Sequence, residues 1–154
     1  MSTRGRIGLM EGETCTSVYT HWDSYPEHNG KILLDHYDEA KVRTLLDMGS
    51  VSSLSENLGE YVPVGERKGE YIRPHDLGES FPKVTQFHYR DLNGTVGECI
   101  PDVSPNYGHF IRLCRDGDAE YAYIMKEGVW WMWAYDNESE EEQLVLLEQV
   151  KLVR

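Results

Sequence analysis

Five side chains able to move protons or hold a cation, His21, Asp23, His28, Asp35 and His36, fall within sixteen positions of one another. Imidazole and carboxylate are the ligands of zinc and manganese sites and the common general acids and bases. Their spacing matches no ready-made arrangement: no two histidines stand four apart on a helix and there is no HExxH, so convergence must come from the fold. The plainer reading has His21 and Trp22 docking a loop onto a sheet, and no metal is expected. Nucleophilic catalysis has less to stand on. Cys114 has His109 near it in sequence and Cys99 has no such neighbour, while a G-x-S-x-G elbow and a phosphate-binding glycine loop are both lacking. No catalytic residue and no cofactor are assigned; an enzyme would have to use His21, Asp23 and His88, with His36 also in reach, as acid and base around a bound substrate.

A second group is aromatic. Tyr121 and Tyr123 alternate along one run, and Val129, Trp131, Trp133 and Tyr135 along the next, so cross-strand pairing is expected to build a continuous aromatic patch. Such a patch is either core or a surface for a nucleobase or a protein. Trp130 and Met132 give the opposite face large side chains too. A third group, Asp136, Glu138, Glu140, Glu141 and Glu142, reads as the solvated start of a helix or as an imitation of phosphate charge.

The elements that must position these groups follow from periodicity. Residues 5–10 and 15–23 flank Glu11-Gly12-Glu13 and read as a hairpin. Alternation in its second strand sets Val18, Thr20 and Trp22 on the core face, with Trp22 buried for well over half its surface, and Tyr19, His21 and Asp23 on the other. Pro26, Asn29 and Gly30 mark a loop over 24–30. Three- and four-residue spacings predict helices over 31–37 and 39–48, continuous or broken, with Asp38 as cap and Gly49 as stop. Residues 50–82 carry little periodicity beyond hints of strand at Val62, Val64, Tyr71 and Ile72. Residues 83–91 alternate as a strand ended by Asn93-Gly94, and 107–114 form a short helix closed by Asp116-Gly117. Runs 120–126 and 129–135 flank Glu127-Gly128 as a hairpin. A helix capped by Ser139 follows, with Leu144, Leu147 and Val150 as its buried stripe, unless the chain's last apolar residues form a strand. The class is α+β: one domain over 1–154, with an antiparallel or mixed sheet of about five strands and two to four helices packed mainly on one face.

Composition narrows the partners. The 154 residues carry 27 acidic and 15 basic side chains, a formal charge of −12. That charge repels a phosphate backbone, and tight basic groups such as Arg4 with Arg6 and Arg67 with Lys68 are each too small to offset it, so direct binding to duplex nucleic acid is disfavoured. The longest apolar runs fall far short of the roughly 20 residues that span a bilayer, and no signal-like stretch follows the basic start. Three cysteines without paired spacing suit a reducing compartment, so a cytoplasmic protein is expected.

The stretches Ser2-Thr3-Arg4-Gly5-Arg6-Ile7-Gly8, Tyr19-Thr20-His21-Trp22-Asp23-Ser24-Tyr25-Pro26 and Gly30-Lys31-Ile32-Leu33-Leu34-Asp35-His36-Tyr37 form the pattern S-T-R-x-R-I-G, Y-x-H-W-D-x-Y-P and G-K-x-L-L-x-H-Y. This resembles a family of small, largely uncharacterised bacteriophage proteins. The resemblance is dense over the first third of the chain and attaches no reaction. It implies a phage accessory protein acting in the infected host cell, one that binds and inhibits or sequesters a host component: a defence or nucleic-acid-handling protein, or a signalling nucleotide. The alternative is a small hydrolase or nucleotide-processing enzyme using a His/Asp site, with or without a metal. Residues expected to touch a ligand or partner are Tyr19, His21, Asp23, Tyr25, His36, Trp131, Trp133 and Tyr135. Oligomeric state stays open.

Overall fold

In a computed structural model of the chain, residues 3–59, 84–87, 100–135 and 145–147 are described. Two hairpins form the middle of the sheet. β1 (Gly5–Glu11) and β2 (Thr14–Thr20) pair antiparallel across Gly12-Glu13, with glycine at the first central position at φ +61°, where a tight hairpin turn needs it. β6 (Tyr121–Lys126) and β7 (Val129–Ala134) pair across Glu127-Gly128, both at positive φ, the geometry that matches the twist of the flanking strands. The hairpins join through β1 and β6, which run parallel, Gly5 opposite Tyr121 and Met10 opposite Lys126.

Short strands extend both sides. β3 (Val51–Ser53) lies parallel to β2, and β4 (Gln86–Phe87) lies antiparallel to β3. β5 (Asp102–Ser104) takes the other end of the same β2 edge, and β8 (Val145–Leu146) pairs with β7. The result is an eight-stranded mixed sheet, where about five strands were expected; the class is α+β as read. The Ser139-capped helix lies largely outside the described residues, and where the chain is described again Val145 and Leu146 are strand. The strand hints at Val62, Val64, Tyr71 and Ile72, together with Asn93-Gly94, also lie outside. So does the acidic cluster from Asp136 to Glu142.

Helices α1 (Lys31–His36) and α2 (Glu39–Met48) are separate, broken at Tyr37, whose φ of −119° and ψ of 111° are extended. Asp38 caps α2 by accepting from the Lys41 backbone N–H at 2.8 Å, and Gly49, at φ +96°, ends it. Both helices pack on the front of the sheet, where Leu33, Val42, Leu45 and Met48 meet Ile7, Val18, Tyr123 and Trp130 in one buried cluster. α3 (Tyr107–Asp116), capped by Asn106, covers the back. There Phe110, Ile111 and Cys114 pack on Cys15, Ala122, Ile124 and Trp133. Burial pushes the Cys15 thiol up to about 12, an inert core group. Among the described residues no helix is long and apolar enough to cross a membrane.

Two expectations are corrected by this register. Tyr121 and Tyr123 stand opposite Ala134 and Met132, on the front, whereas Trp131 and Trp133 stand opposite Ile124 and Ala122, on the back. The tyrosines and tryptophans therefore do not form one patch. Trp22 is not core either. The strand ends at Thr20, two residues earlier, and the Trp22 side chain keeps 42% of its surface in solvent.

Candidate functional site

On the back of the sheet the register lays out a row that reads Tyr19, Arg6, Ala122, Trp133 across four neighbouring strands. Two positions further along each strand comes a second row: His21, Arg4, Glu120 and Tyr135. Its spine is continued by backbone hydrogen bonds, Glu120 N–H to the Arg4 carbonyl at 2.8 Å and Tyr135 N–H to the Glu120 carbonyl at 2.9 Å. Two groups more than a hundred residues apart in sequence, Tyr19 with His21 and Trp133 with Tyr135, thus share one end of one face.

At the first of these positions Tyr19 Oη and His21 Nδ1 are 2.7 Å apart, and the Trp22 ring meets the imidazole edge-on at 4.5 Å between centroids. Partial burial, then the Arg4 guanidinium, lower the His21 pKa from its usual value, so the ring is neutral at physiological pH. Burial also raises Tyr19, against the opposing pull of Arg4 and Arg6. Both are neutral, and the bond joins a phenol to an uncharged imidazole. Arg6 itself is buried and fully engaged, donating to Ser17 Oγ at 2.9 Å, the Ser17 carbonyl at 3.2 Å and Asp102 Oδ2 at 2.7 Å. It binds β5 to β2 rather than serving a ligand.

The segment after β2 is fixed by the sheet's own polar groups. Thr20 Oγ1 and Ser24 Oγ lie 2.6 Å apart, and Ser24 N–H donates to the Thr3 carbonyl at 3.0 Å. Between them Asp23 reverses the chain at φ +58°, a conformation aspartate tolerates better than most residues. Residues 26–30, expected as loop, are a π-helical turn (Pro26–Gly30) that runs into α1. Buried Asn29 closes it, donating to the Trp22 carbonyl at 3.2 Å and accepting from His28 Nδ1 at 2.8 Å. Tyr25 stacks obliquely near His28, with ring centroids 6.0 Å apart.

The other end of the second row opens onto a cleft of about 480 Å³. Arg115, Asp118, Ala119, Glu120, Tyr121, Ala134 and Tyr135 line it. Its shape comes from the end of α3. The Gly117 and Ala119 N–H groups bond back to Leu113 and Cys114 carbonyls, and Asp118 takes φ +59° as the chain turns into β6. Arg115, in the last helical turn, where a cation suits the helix dipole, lies 5.6 Å from the Trp133 ring centroid and 5.3 Å from that of Tyr135. Trp133 is fully buried, so it backs the cleft and cannot itself meet a partner. Tyr135 leaves half its surface exposed. Arg4 Nη1 lies 3.7 Å from Asp118 Oδ2, connecting the cleft to the Tyr19–His21 pair.

The remaining candidates sit elsewhere. His36 ends α1, 3.7 Å from Glu56 Oε1, with the Lys41 ammonium bridging the His36 and Glu56 carbonyls. Trp131 is half-buried on the back of β7 opposite Leu146. His88 and Cys99 lie outside the described residues. Among the described residues no group of three or more His, Cys, Asp and Glu side chains is gathered for a metal ion, so His21, Asp23 and His36 do not converge as one. Arg4, Arg115, Asp118 and Glu120 were not singled out from sequence as site residues. The available signal was positional: Arg4 and Glu120 each directly precede a strand, in phase with its back-facing residues.

A scan against protein-family models, and searches of the curated proteins and of the solved structures, find nothing that matches.

Proposed function

We propose that the chain is a binding protein, a bacteriophage accessory protein of the infected cell's cytoplasm that sequesters a small planar host ligand of the nucleotide class. The cleft beside Tyr135 carries this reading. At about 480 Å³ it falls within the range of small-ligand sites. It combines an exposed aromatic ring with a guanidinium and two carboxylates, the mixture that recognises a flat heterocycle by stacking and by hydrogen bonds at its edge. A large protein interface would be expected to centre on a broad desolvated apolar patch, and among the described residues the exposed large apolar side chains other than Tyr135, namely Trp22, Ile100, Val103, Val129 and Val145, are spread over several elements.

Sequestration is favoured over turnover because, among the described residues, the expected acid and base groups do not converge on one point. His21 is paired with Tyr19, His36 sits near Glu56, and Asp23 serves a backbone reversal.

Native mass spectrometry of the full chain purified from bacterial cells tests the reading. A retained adduct of nucleotide size, released unchanged on denaturation and lost in Tyr135→Ala, is expected. An adduct released chemically altered would move the assignment to the enzyme class. No adduct, together with no binding in a panel of nucleosides and nucleotides, would remove the proposal.

A further inference from the structure

We propose that Asn29 is a modification site, an asparagine that the folded turn protects and that opening of the turn exposes to deamidation. It precedes Gly30, and a glycine, lacking a side chain, leaves its backbone nitrogen free to approach the amide of the residue before it. The fold needs both residues, each for its own reason. A Cβ on Gly30 would stand 3.1 Å from the Tyr123 ring and 3.4 Å from the Leu147 side chain, so the close approach to the front of the sheet leaves little room for a larger residue. Asn29 is fully buried and donates from Nδ2 to the Trp22 carbonyl at 3.2 Å and to Ser24 Oγ at 3.4 Å, while its Oδ1 accepts from His28 Nδ1 at 2.8 Å. Its backbone N–H donates to the Asp23 carbonyl at 3.2 Å. Packing at one position and hydrogen bonding at the next thus set a chemically labile pair side by side.

The reaction consumes only water. The Gly30 backbone nitrogen gives up its proton and bonds to Asn29 Cγ; the Cγ–Nδ2 bond breaks, and the amide nitrogen leaves as ammonia from a cyclic succinimide. Water then opens the ring. Attack at Cγ gives aspartate, and attack at the main-chain carbonyl gives isoaspartate, which routes the backbone through the side chain. The His28 hydrogen bond polarises the Asn29 amide carbonyl and so favours the first step, but the folded backbone opposes it. Residues 26–30 wind into α1 as a helical turn, in which side chains point back toward the N-terminus and away from the following nitrogen. The product does not fit either. A carboxylate in place of Nδ2 sets oxygen against the Trp22 carbonyl, and an unmatched acceptor and an unpaired charge both oppose burial. Conversion therefore releases, irreversibly, the turn that carries Trp22, Tyr25 and His28.

Peptide mapping by mass spectrometry, on the full chain kept in mildly alkaline buffer with and without denaturant, is the test. In denaturant Asn29 is expected to convert to aspartate and isoaspartate at a rate similar to that of Asn93, which also precedes a glycine. In native buffer Asn29 is expected to convert at least about tenfold more slowly, because the reaction then waits on local opening of the turn. Two variants loosen the turn without altering the reacting pair. Tyr123→Phe removes the bond to the Ser24 carbonyl, and Ser24→Ala removes the 3.4 Å bond to Nδ2. Either one, shown to be folded by a cooperative unfolding transition, is expected to speed native conversion at Asn29 by about threefold or more. Asn29→Asp installs the product directly and is expected to melt about 3 °C or more below the parent chain. Equal rates with and without denaturant, no conversion in denaturant, a native rate unmoved by both loosening variants, or an Asn29→Asp chain that melts with the parent overturns the assignment.

Discussion

The phenol of Tyr123, on the front of β6, donates a 2.6 Å hydrogen bond to the backbone carbonyl of Ser24, and both residues are buried. This bond ties the turn after β2 to the centre of the sheet. Burial drives the Tyr123 pKa well above its usual value, so the hydroxyl stays a donor at any working pH. Tyr123→Phe removes the donor and leaves a buried carbonyl unmatched. Denaturant unfolding should find it less stable by about 1–3 kcal/mol, and equal stability would mean that the turn is held by its other bonds alone.

Trp22 and Trp133 should respond very differently to truncation. Trp133→Ala empties part of the back core and is expected to cost about 3–5 kcal/mol. Trp22→Ala removes a ring that is 42% exposed and should cost about 1 kcal/mol. Comparable losses in chemical denaturation would place Trp22 in the core after all.

At Asp23 the backbone conformation and the carboxylate can be separated. Asp23→Asn keeps a residue suited to positive φ and should leave stability within about 0.5 kcal/mol. Asp23→Val should cost about 1–2 kcal/mol, since a branched side chain crowds the left-handed conformation. Ligand affinity measured on both variants then reports whether the charge matters, and a destabilised Asn variant would contradict the turn-only role.

The lowered pKa of His21 gives a pH signature. Folding favours its neutral form, so the unfolded chain binds the proton more readily, and this contribution is complete above the ordinary value of 6.5 and is lost as pH falls through the folded value. Tyr19, the Trp22 edge and Arg4 surround the ring. The difference in melting temperature between the parent chain and His21→Gln, followed from pH 8 to about 5, should shift in favour of the variant on the acid side. A difference that stays constant over that interval would mean that the imidazole titrates normally.

Much of the frame was legible because it rests on local chemistry. The turn at Glu127-Gly128, the Asp38 cap and the Gly49 stop each act on their own neighbours and stand where the sequence put them, and the turn expected over Glu11-Gly12-Glu13 tightens to Gly12-Glu13. β3, β5 and β8 are two or three residues long, and partners define them rather than their own pattern; β3 exists because the backbone at His21 and Trp22 donates to Val51 and Ser52. The tyrosine and tryptophan faces could have been separated from the turn alone, since closing on Glu127-Gly128 sets Tyr123 opposite Met132. Trp22 was misplaced because alternation was carried past Thr20, where the bond to Ser24 turns the chain. The site itself was out of reach. Tyr19, Arg4, Glu120 and Tyr135 become neighbours only through the parallel seam of β1 and β6, and no short-range pattern announces a parallel seam.

That seam also sets an order of events during synthesis. β1 can pair with β2 as soon as both have left the ribosome, but Gly5 also pairs with Tyr121, so its other edge waits for more than a hundred further residues. Until then a strand with almost wholly buried side chains, Ile7 and Leu9 among them, has one edge unpaired. The nascent chain must therefore be shielded through that interval, or the centre of its sheet must form only once β6 has emerged.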